Sequence, residues 1–318
     1  MRIVVFGQLS PDTITTLRRT HDVACMPQPH SENEKSSLAK AEVLVTRGHV
    51  RITQEVLDQA PQLHLLVKAG SGVDTIDVAE VQRRGIRLIT TPASTWSVAE
   101  LTLLLMLAVA RRMCQLENAI RRGEWDSKYR IVGHQLNGST LGIVGFGNIG
   151  SAVGRLGAAF GMHVLVHDHA PDGPAKRTIA QQIGAAFVDL STLLRTSDIV
   201  TLHLPLRSDT YHIIDSTSLA QMQRHSLLIN TARAALVDKE ALLTALSMHH
   251  IAGAGLDVFY DEPLPPDDPI LALPQVVCTP HVGAQTVEAM AAIGDEVVSV
   301  INTFAGERPD NMASAHCD

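Results

Sequence analysis

A strand-like run, Leu141–Val144, leads directly into G-F-G-N-I-G, Gly145 to Gly150, and a helix-compatible segment follows. Three glycines at this spacing leave the backbone few options. The first permits a tight turn, the second lets a phosphate-sized group approach the main chain, and the third lets helix and strand pack closely. The helix then points its unpaired amides (Asn148, Ile149, Gly150) and the positive end of its dipole at the turn, which suits a pyrophosphate. Asp168 stands eighteen residues past Gly150, at the end of a second strand-like run, His163–His167. A carboxylate there accepts bonds from ribose hydroxyls and repels a 2′-phosphate, so the expected cofactor is NAD rather than NADP. His167 and His169 soften that preference when protonated. A glycine turn with a solvated aspartate is the bland alternative, but the strand before, the helix after and the distance to the acid all tell against it.

The rest of the chain extends this pattern. Short β-branched runs alternate with helix-like segments: Arg2–Phe6, Asp22–Cys25, Val43–Thr46, Leu65–Lys68 and Arg87–Ile89, then Leu141–Val144, His163–His167, Ile199–Leu202, Leu227–Asn230, Gly253–Asp257 and Val276–Cys278. Such alternation is the mark of parallel α/β sheets. With 318 residues the chain is too long for one typical core. The expected fold class is therefore α/β, with two doubly wound parallel-sheet domains. Thr53 is expected to cap the helix of 53–60, another helix runs over 77–84, one long helix spans Ser94 to about Arg122, and the last covers about Gly283 to Ala305.

Bulk properties exclude several classes. Hydrophobic residues make up 45% and charged residues 19%, the balance of a folded globular chain. A net charge of −7 argues against nucleic-acid or anionic-membrane partners. Cys25, Cys114, Cys278 and Cys317 are widely spaced, which fits neither a zinc site nor a disulfide framework, so no metal is expected and a reducing compartment is. The longest apolar stretch, Leu101–Ala110, is about half of the ~20 residues that span a bilayer. The start, M-R-I-V-V-F-G, lacks the features of a signal peptide. A cytoplasmic location is expected.

Six motifs in fixed order carry a family likeness. They are V-K-A-G-S-G-V-D-T-I-D (Val67–Asp77), T-P-A-S-T-W-S-V-A-E (Thr91–Glu100), G-I-V-G-F-G-N-I-G (Gly142–Gly150), N-T-A-R (Asn230–Arg233), L-D-V-F-Y-D-E-P (Leu256–Pro263) and T-P-H-V-G-A (Thr279–Ala284). Through nearly its whole length the chain resembles the D-isomer-specific 2-hydroxy acid dehydrogenases, which include 3-phosphoglycerate dehydrogenases and glyoxylate/hydroxypyruvate reductases. The resemblance implies a Rossmann-type cofactor domain, 98–285, inserted into a smaller flavodoxin-like substrate domain, 1–97 and 286–318. The crossings at 91–98 and 281–286 would act as hinges.

The family's catalytic trio falls on Arg233, Glu262 and His281. The residue types suit the chemistry. A guanidinium offers a planar pair of donors to a carboxylate and can polarise the neighbouring keto oxygen. His281 would give a proton to that oxygen during reduction and remove it during oxidation, with Glu262 fixing the ring and favouring the imidazolium. Taken singly, each has an ordinary reading: a surface ion pair, the start of a turn, a loop histidine. The fifteen histidines of the chain prove nothing by number, and His203 in H-L-P and the His249-His250 pair have ordinary structural readings.

By the same matching, Gly70, Ser71, Gly72 and Val73 form a small anion nest for the substrate carboxylate, and Trp96 lines the substrate wall. Thr231 and Asp257 lie near the nicotinamide, Asp257 accepting from its carboxamide. His203 and Pro205 line the adenosine side, and Gly283 adjoins His281 in the cofactor site. Arg47 and Lys68 sit at strand ends suited to a second negative group. Departures from the family pattern include Ala234-Ala235 in place of Gly-Gly, Thr75 in place of Asn, and Gln285 in place of Ser. The chain stops soon after Gly306-Glu307-Arg308-Pro309, so a C-terminal regulatory domain is not expected. The 94–122 region, apolar on more than one side, is expected to bury itself in a homodimer. Alternatives are a non-catalytic NADH-sensing protein similar to corepressors of this fold, and a relative acting on formate or phosphite.

Overall fold

Apolar runs of four or five residues form the centres of two parallel sheets in the computed structural model, which describes residues 1–26 and 36–307. One compact unit comprises Met1–Ser94 and the segment from Gln285 onward; the other is Thr95–Ala284. Cys317 and the segment from Arg308 lie outside the described residues.

The smaller unit carries β1 (Arg2–Phe6), β2 (Asp22–Met26), β3 (Val43–Thr46), β4 (Leu65–Lys68) and β5 (Arg87–Thr90) in the order β2-β1-β3-β4-β5. Every pair is parallel. β3 and β4 are buried at every position, as expected where helices cover both faces. Phe6, Leu44, Leu57, Leu66 and Val81 form one core. α1 (Pro11–Arg18) starts on Ser10, whose hydroxyl accepts from the Thr13 amide at 3.1 Å. α2 (Gln54–Asp58) has Thr53 in the cap position, but the Thr53 side chain makes no cap bond, contrary to expectation. α3 (Val78–Arg83) is capped by Asp77, which accepts from the Glu80 amide at 3.0 Å.

The larger unit holds β6 (Thr140–Val144), β7 (His163–His167), β8 (Ala186–Phe187), β9 (Ile199–Leu202), β10 (Leu227–Asn230), β11 (Gly253–Leu256) and β12 (Val276–Cys278). Their order is β12-β11-β10-β9-β6-β7-β8, all parallel. From β6 the chain winds outward to β8, then returns to β9 on the other side. The strand order therefore reverses between β6 and β9, the place at whose carboxyl edge open α/β sheets bind ligands. β8, two partly exposed residues at the sheet edge, has too little apolar pattern to be read from sequence.

The sequence predicts one helix from Ser94 to about Arg122, and the structure breaks it into α4 (Thr95–Ala110) and α5 (Met113–Arg121). Arg112 at the break has φ 52°. The returning chain explains the break. The His134 amide donates to the Ala110 carbonyl at 2.9 Å. Gly133 packs so closely that a Cβ there would lie 2.8 Å from the Ala110 carbonyl oxygen. α4 buries Val98, Ala99, Thr102, Leu105, Met106 and Val109. The last helix, Val287–Gly306, begins later than the expected Gly283, because the Gly283 amide bonds Asp257 and Thr286 supplies the cap to Ala289. Among the described residues no helix is long and apolar enough to cross a membrane.

Candidate active site

The glycine turn lies at the carboxyl end of β6 and opens α6 (Asn148–Ala159). Gly145 has φ 95°, and a Cβ there would sit 2.6 Å from the His203 carbonyl oxygen. A Cβ on Gly150 would sit 2.0 Å from the Gly145 carbonyl oxygen, so helix and strand meet backbone to backbone. Gly147 differs: a Cβ there meets nothing within 4 Å. Gly147 is also the helix cap and offers no side-chain bond, leaving the amides of Asn148, Ile149 and Gly150 as helix-end donors. Two glycines are thus demanded by packing, and the third keeps space open above a helix N-terminus. This arrangement fits a dinucleotide pyrophosphate.

Asp168 follows β7 and is nearly enclosed. Its Oδ2 accepts from the Phe146 amide at 2.8 Å, and its Oδ1 from the Ala170 amide at 2.8 Å and the Lys176 ammonium at 2.6 Å. Burial pushes this carboxyl up, but the ammonium and the amides outweigh it and hold it below its ordinary range. Lys176, on α7 (Pro174–Gln182), has no signature in the sequence. His203, after β9, meets the Thr201 hydroxyl at 2.9 Å through Nε2. By surface area the residue is only half-buried, yet the protein around the imidazole pushes it down to about 3. Pro205 is exposed.

The trio comes from loops at the carboxyl edge of the same sheet. Arg233, three residues past β10, is half-buried, and its guanidinium donates to the Ala232 carbonyl at 2.6 Å. Asn230 fixes this loop, donating to the Arg233 carbonyl at 2.8 Å and accepting from the Ala232 amide at 3.1 Å. His281 Nδ1 lies 2.9 Å from Glu262 Oε2, while Glu262 Oε1 accepts from the Phe259 amide at 2.9 Å. His281 has φ 53°, a left-handed backbone that for a non-glycine residue is held by its surroundings.

Asp257 provides that hold. It is almost fully buried and accepts from the Thr279 hydroxyl at 2.6 Å and from the Val282 and Gly283 amides at 2.9 Å. Burial raises this carboxyl, and the three donors only partly offset it. These bonds fix the chain on both sides of His281. Thr231 is buried and shares a 2.9 Å hydroxyl bond with Thr102 of α4. The Tyr260 hydroxyl donates to the Val237 carbonyl at 2.6 Å and meets His212 Nε2 at 2.8 Å, anchoring the loop that leads to Glu262. Thr102, Tyr260 and His212 carry no readable signal in the sequence. Trp96, on the first turn of α4, is exposed.

Within the smaller unit, Gly70 has φ 144°, and its amide donates to the Thr91 hydroxyl at 3.2 Å and the Lys68 carbonyl at 2.9 Å. Any anion nest in this turn therefore rests on Ser71, Gly72 and Val73. Lys68 is buried, and its ammonium donates to the Gly48 carbonyl at 2.9 Å and the Thr75 hydroxyl at 3.3 Å. That commits the ammonium to holding the turn after β3. Arg47 donates to the Gln8 carbonyl at 3.2 Å.

Two doubly wound parallel units, one with a glycine-turn dinucleotide site and a His–Glu pair on the same sheet edge, define a nicotinamide-dependent oxidoreductase. Residues 103–283 match the model of the D-isomer specific 2-hydroxyacid dehydrogenase NAD binding domain. A glyoxylate reductase of Thermococcus litoralis is 35% identical over 98% of this chain and 96% of its own length. A D-3-phosphoglycerate dehydrogenase of Methanocaldococcus jannaschii is 39% identical over 99% of this chain, which spans 59% of that relative's length. The crystal structure of a D-lactate dehydrogenase from Aquifex aeolicus, complexed with NAD and lactic acid, matches with TM-score 0.85 and 29% identity over 98% of both chains. The chain belongs to the D-isomer specific 2-hydroxyacid dehydrogenase family, and with it to the NAD-dependent oxidoreductases.

Proposed function

We propose that the chain interconverts a small D-2-hydroxy acid and its 2-oxo acid, of the size of glyoxylate or hydroxypyruvate. The 2.9 Å pair between His281 and Glu262 carries this reading. With Nδ1 engaged by a carboxylate, Nε2 is the position left for proton exchange with the keto oxygen. Bound NADH supplies the hydride for C2. The Arg233 fork holds the substrate carboxylate and polarises the keto oxygen. His281 delivers a proton to that oxygen in reduction and takes it back in oxidation. Glu262 orients the ring, and Asp257 holds the turn that presents it. Gly145, Gly147, Asn148, Ile149 and Gly150 bind the pyrophosphate, Asp168, His203 and Pro205 the adenosine half, and Thr231, Asp257 and Gly283 border the nicotinamide.

Residues 1–97 and 286–318 form the substrate domain in this reading, with Ser71, Gly72 and Val73 offering amides to the carboxylate and Trp96 an apolar wall. Residues 98–285 form the cofactor domain. The working form is a cytoplasmic homodimer made through the 94–122 region.

Loss of NADH absorbance with glyoxylate, hydroxypyruvate, pyruvate, phosphohydroxypyruvate and a branched 2-oxo acid tests the assignment. One acid is turned over rapidly, and Arg233→Ala lowers its kcat/KM on the order of a thousandfold, about 4 kcal/mol of transition-state stabilisation. Binding of NADH without turnover of any of these acids would reject the substrate class.

A further inference from the structure

A carboxylate after the second strand of a dinucleotide domain selects against a 2′-phosphate by two means: an uncancelled negative charge, and oxygens turned toward the ribose hydroxyls. Asp168 retains little of either. Its oxygens already accept three bonds from the chain, from the amides of Phe146 and Ala170 and from the Lys176 ammonium. A carboxylate has about four acceptor positions, so room remains for one ribose hydroxyl but not for a bidentate grip on two. The ammonium 2.6 Å away cancels the charge. Access reinforces the point, because the Asp168 side chain is 4% exposed whereas that of Lys176 is 26% and that of His169 is 76%. His169 Nδ1 stands 3.7 Å from Asp168 Oδ1. A group arriving at this corner therefore meets the cation and the imidazole before it meets the acid.

Lys176 also sits in the first turn of α7, where the helix dipole opposes a positive charge. Its position is unfavourable for the helix and is compensated only by an anion alongside. Asp168 is that anion now, and a phosphomonoester at the ribose would serve as well. The amides of Phe146 and Ala170 would still hold Asp168 if Lys176 turned to a phosphate.

We propose that the chain accepts NADPH as well as NADH, with the Lys176 ammonium receiving the 2′-phosphate and His169 beside it. This rests on the Gly145–Gly150 turn as the dinucleotide site. Lys176 then decides cofactor preference, and the enzyme draws on either nicotinamide pool.

Isothermal titration calorimetry of the purified protein with NADH and NADPH reads this without turnover. The two dissociation constants fall within about tenfold of each other at low salt, and NADPH binding weakens more steeply with ionic strength. In Lys176→Ala the ratio of the NADPH constant to the NADH constant rises at least tenfold. Arg177→Ala, which removes a neighbouring charge paired with Asp172, leaves that ratio where it was. A wild-type preference for NADH above a hundredfold, or a ratio that Lys176→Ala moves by less than threefold, overturns the proposal. Failure of the wild-type protein to bind either dinucleotide overturns instead the reading of the glycine turn on which it stands.

Discussion

Asp257 and His203 show how single groups of this sheet edge trade stability for position. Keeping the Asp257 carboxylate in a dry site costs the fold, since burial raises it despite three donors. In return it fixes Thr279, Val282 and Gly283, and so the strained backbone of His281 between them. His203 has the opposite character, a histidine kept neutral by its surroundings. An unfolded chain takes up a proton at this residue below about pH 6.5, whereas the folded chain resists until about pH 3. The unfolded state therefore binds more protons throughout that window, and stability falls as the pH falls. The contribution is complete above pH 6.5 and is lost toward pH 3, with a slope of up to about 1.4 kcal/mol per pH unit. Urea midpoints measured from pH 7 to pH 4 check this. His203→Gln, which removes the titration, gives a flatter profile than the wild type, and parallel profiles would show that His203 is not the group responsible.

At the level of elements, the turn from β6 into α6 separates the glycines that packing demands from the one that it does not. A methyl on Gly150 would run into the Gly145 carbonyl oxygen at 2.0 Å, and neither backbone can yield without moving α6 off the sheet. Gly150→Ala is expected to lower stability by about 2–3 kcal/mol, as overpacking does, and to weaken NADH binding with it. A methyl on Gly147 meets only open space. Gly147→Ala should leave the melting temperature within about 2 °C while weakening NADH at least tenfold. Thermal melts beside fluorescence titrations distinguish the two, and equal melting losses would place both glycines in packing. Both glycines were legible in the sequence, as were most of the strands, because apolar runs and glycine spacing are local signals. What escaped depends on distant partners. The break at Arg112 needs Gly133 and His134 to return over the helix end, and the Thr53 cap failed although its local pattern was right. The Lys176 bond to Asp168 spans a loop of no distinctive composition. The positions of Arg233, Glu262 and His281 came from motif matching, whereas the Asp257, Asn230 and Tyr260 bonds that hold their loops required coordinates.

At the scale of the whole molecule, large apolar side chains gather on the outside of the segment 104–132. Leu104 on α4, Met113 and Ile120 on α5, and Trp125, Tyr129 and Val132 just beyond are all about half exposed or more. The charged pair Glu117–Arg121 lies among them on α5. Large apolar side chains are ordinary on a surface when scattered, but six within thirty residues on consecutive elements are characteristic of an interface. Light scattering is therefore expected to give twice the 34.3 kDa of one chain. Replacing Leu104 and Ile120 together by Asp would put two uncompensated charges into the interface and return the protein to one chain's mass. Neither side chain is part of the cores of the fold, so the substituted protein should keep its circular dichroism and its cooperative melt. A wild-type mass of 34.3 kDa at micromolar concentration would leave this face in water and remove the dimer from the reading of the molecule.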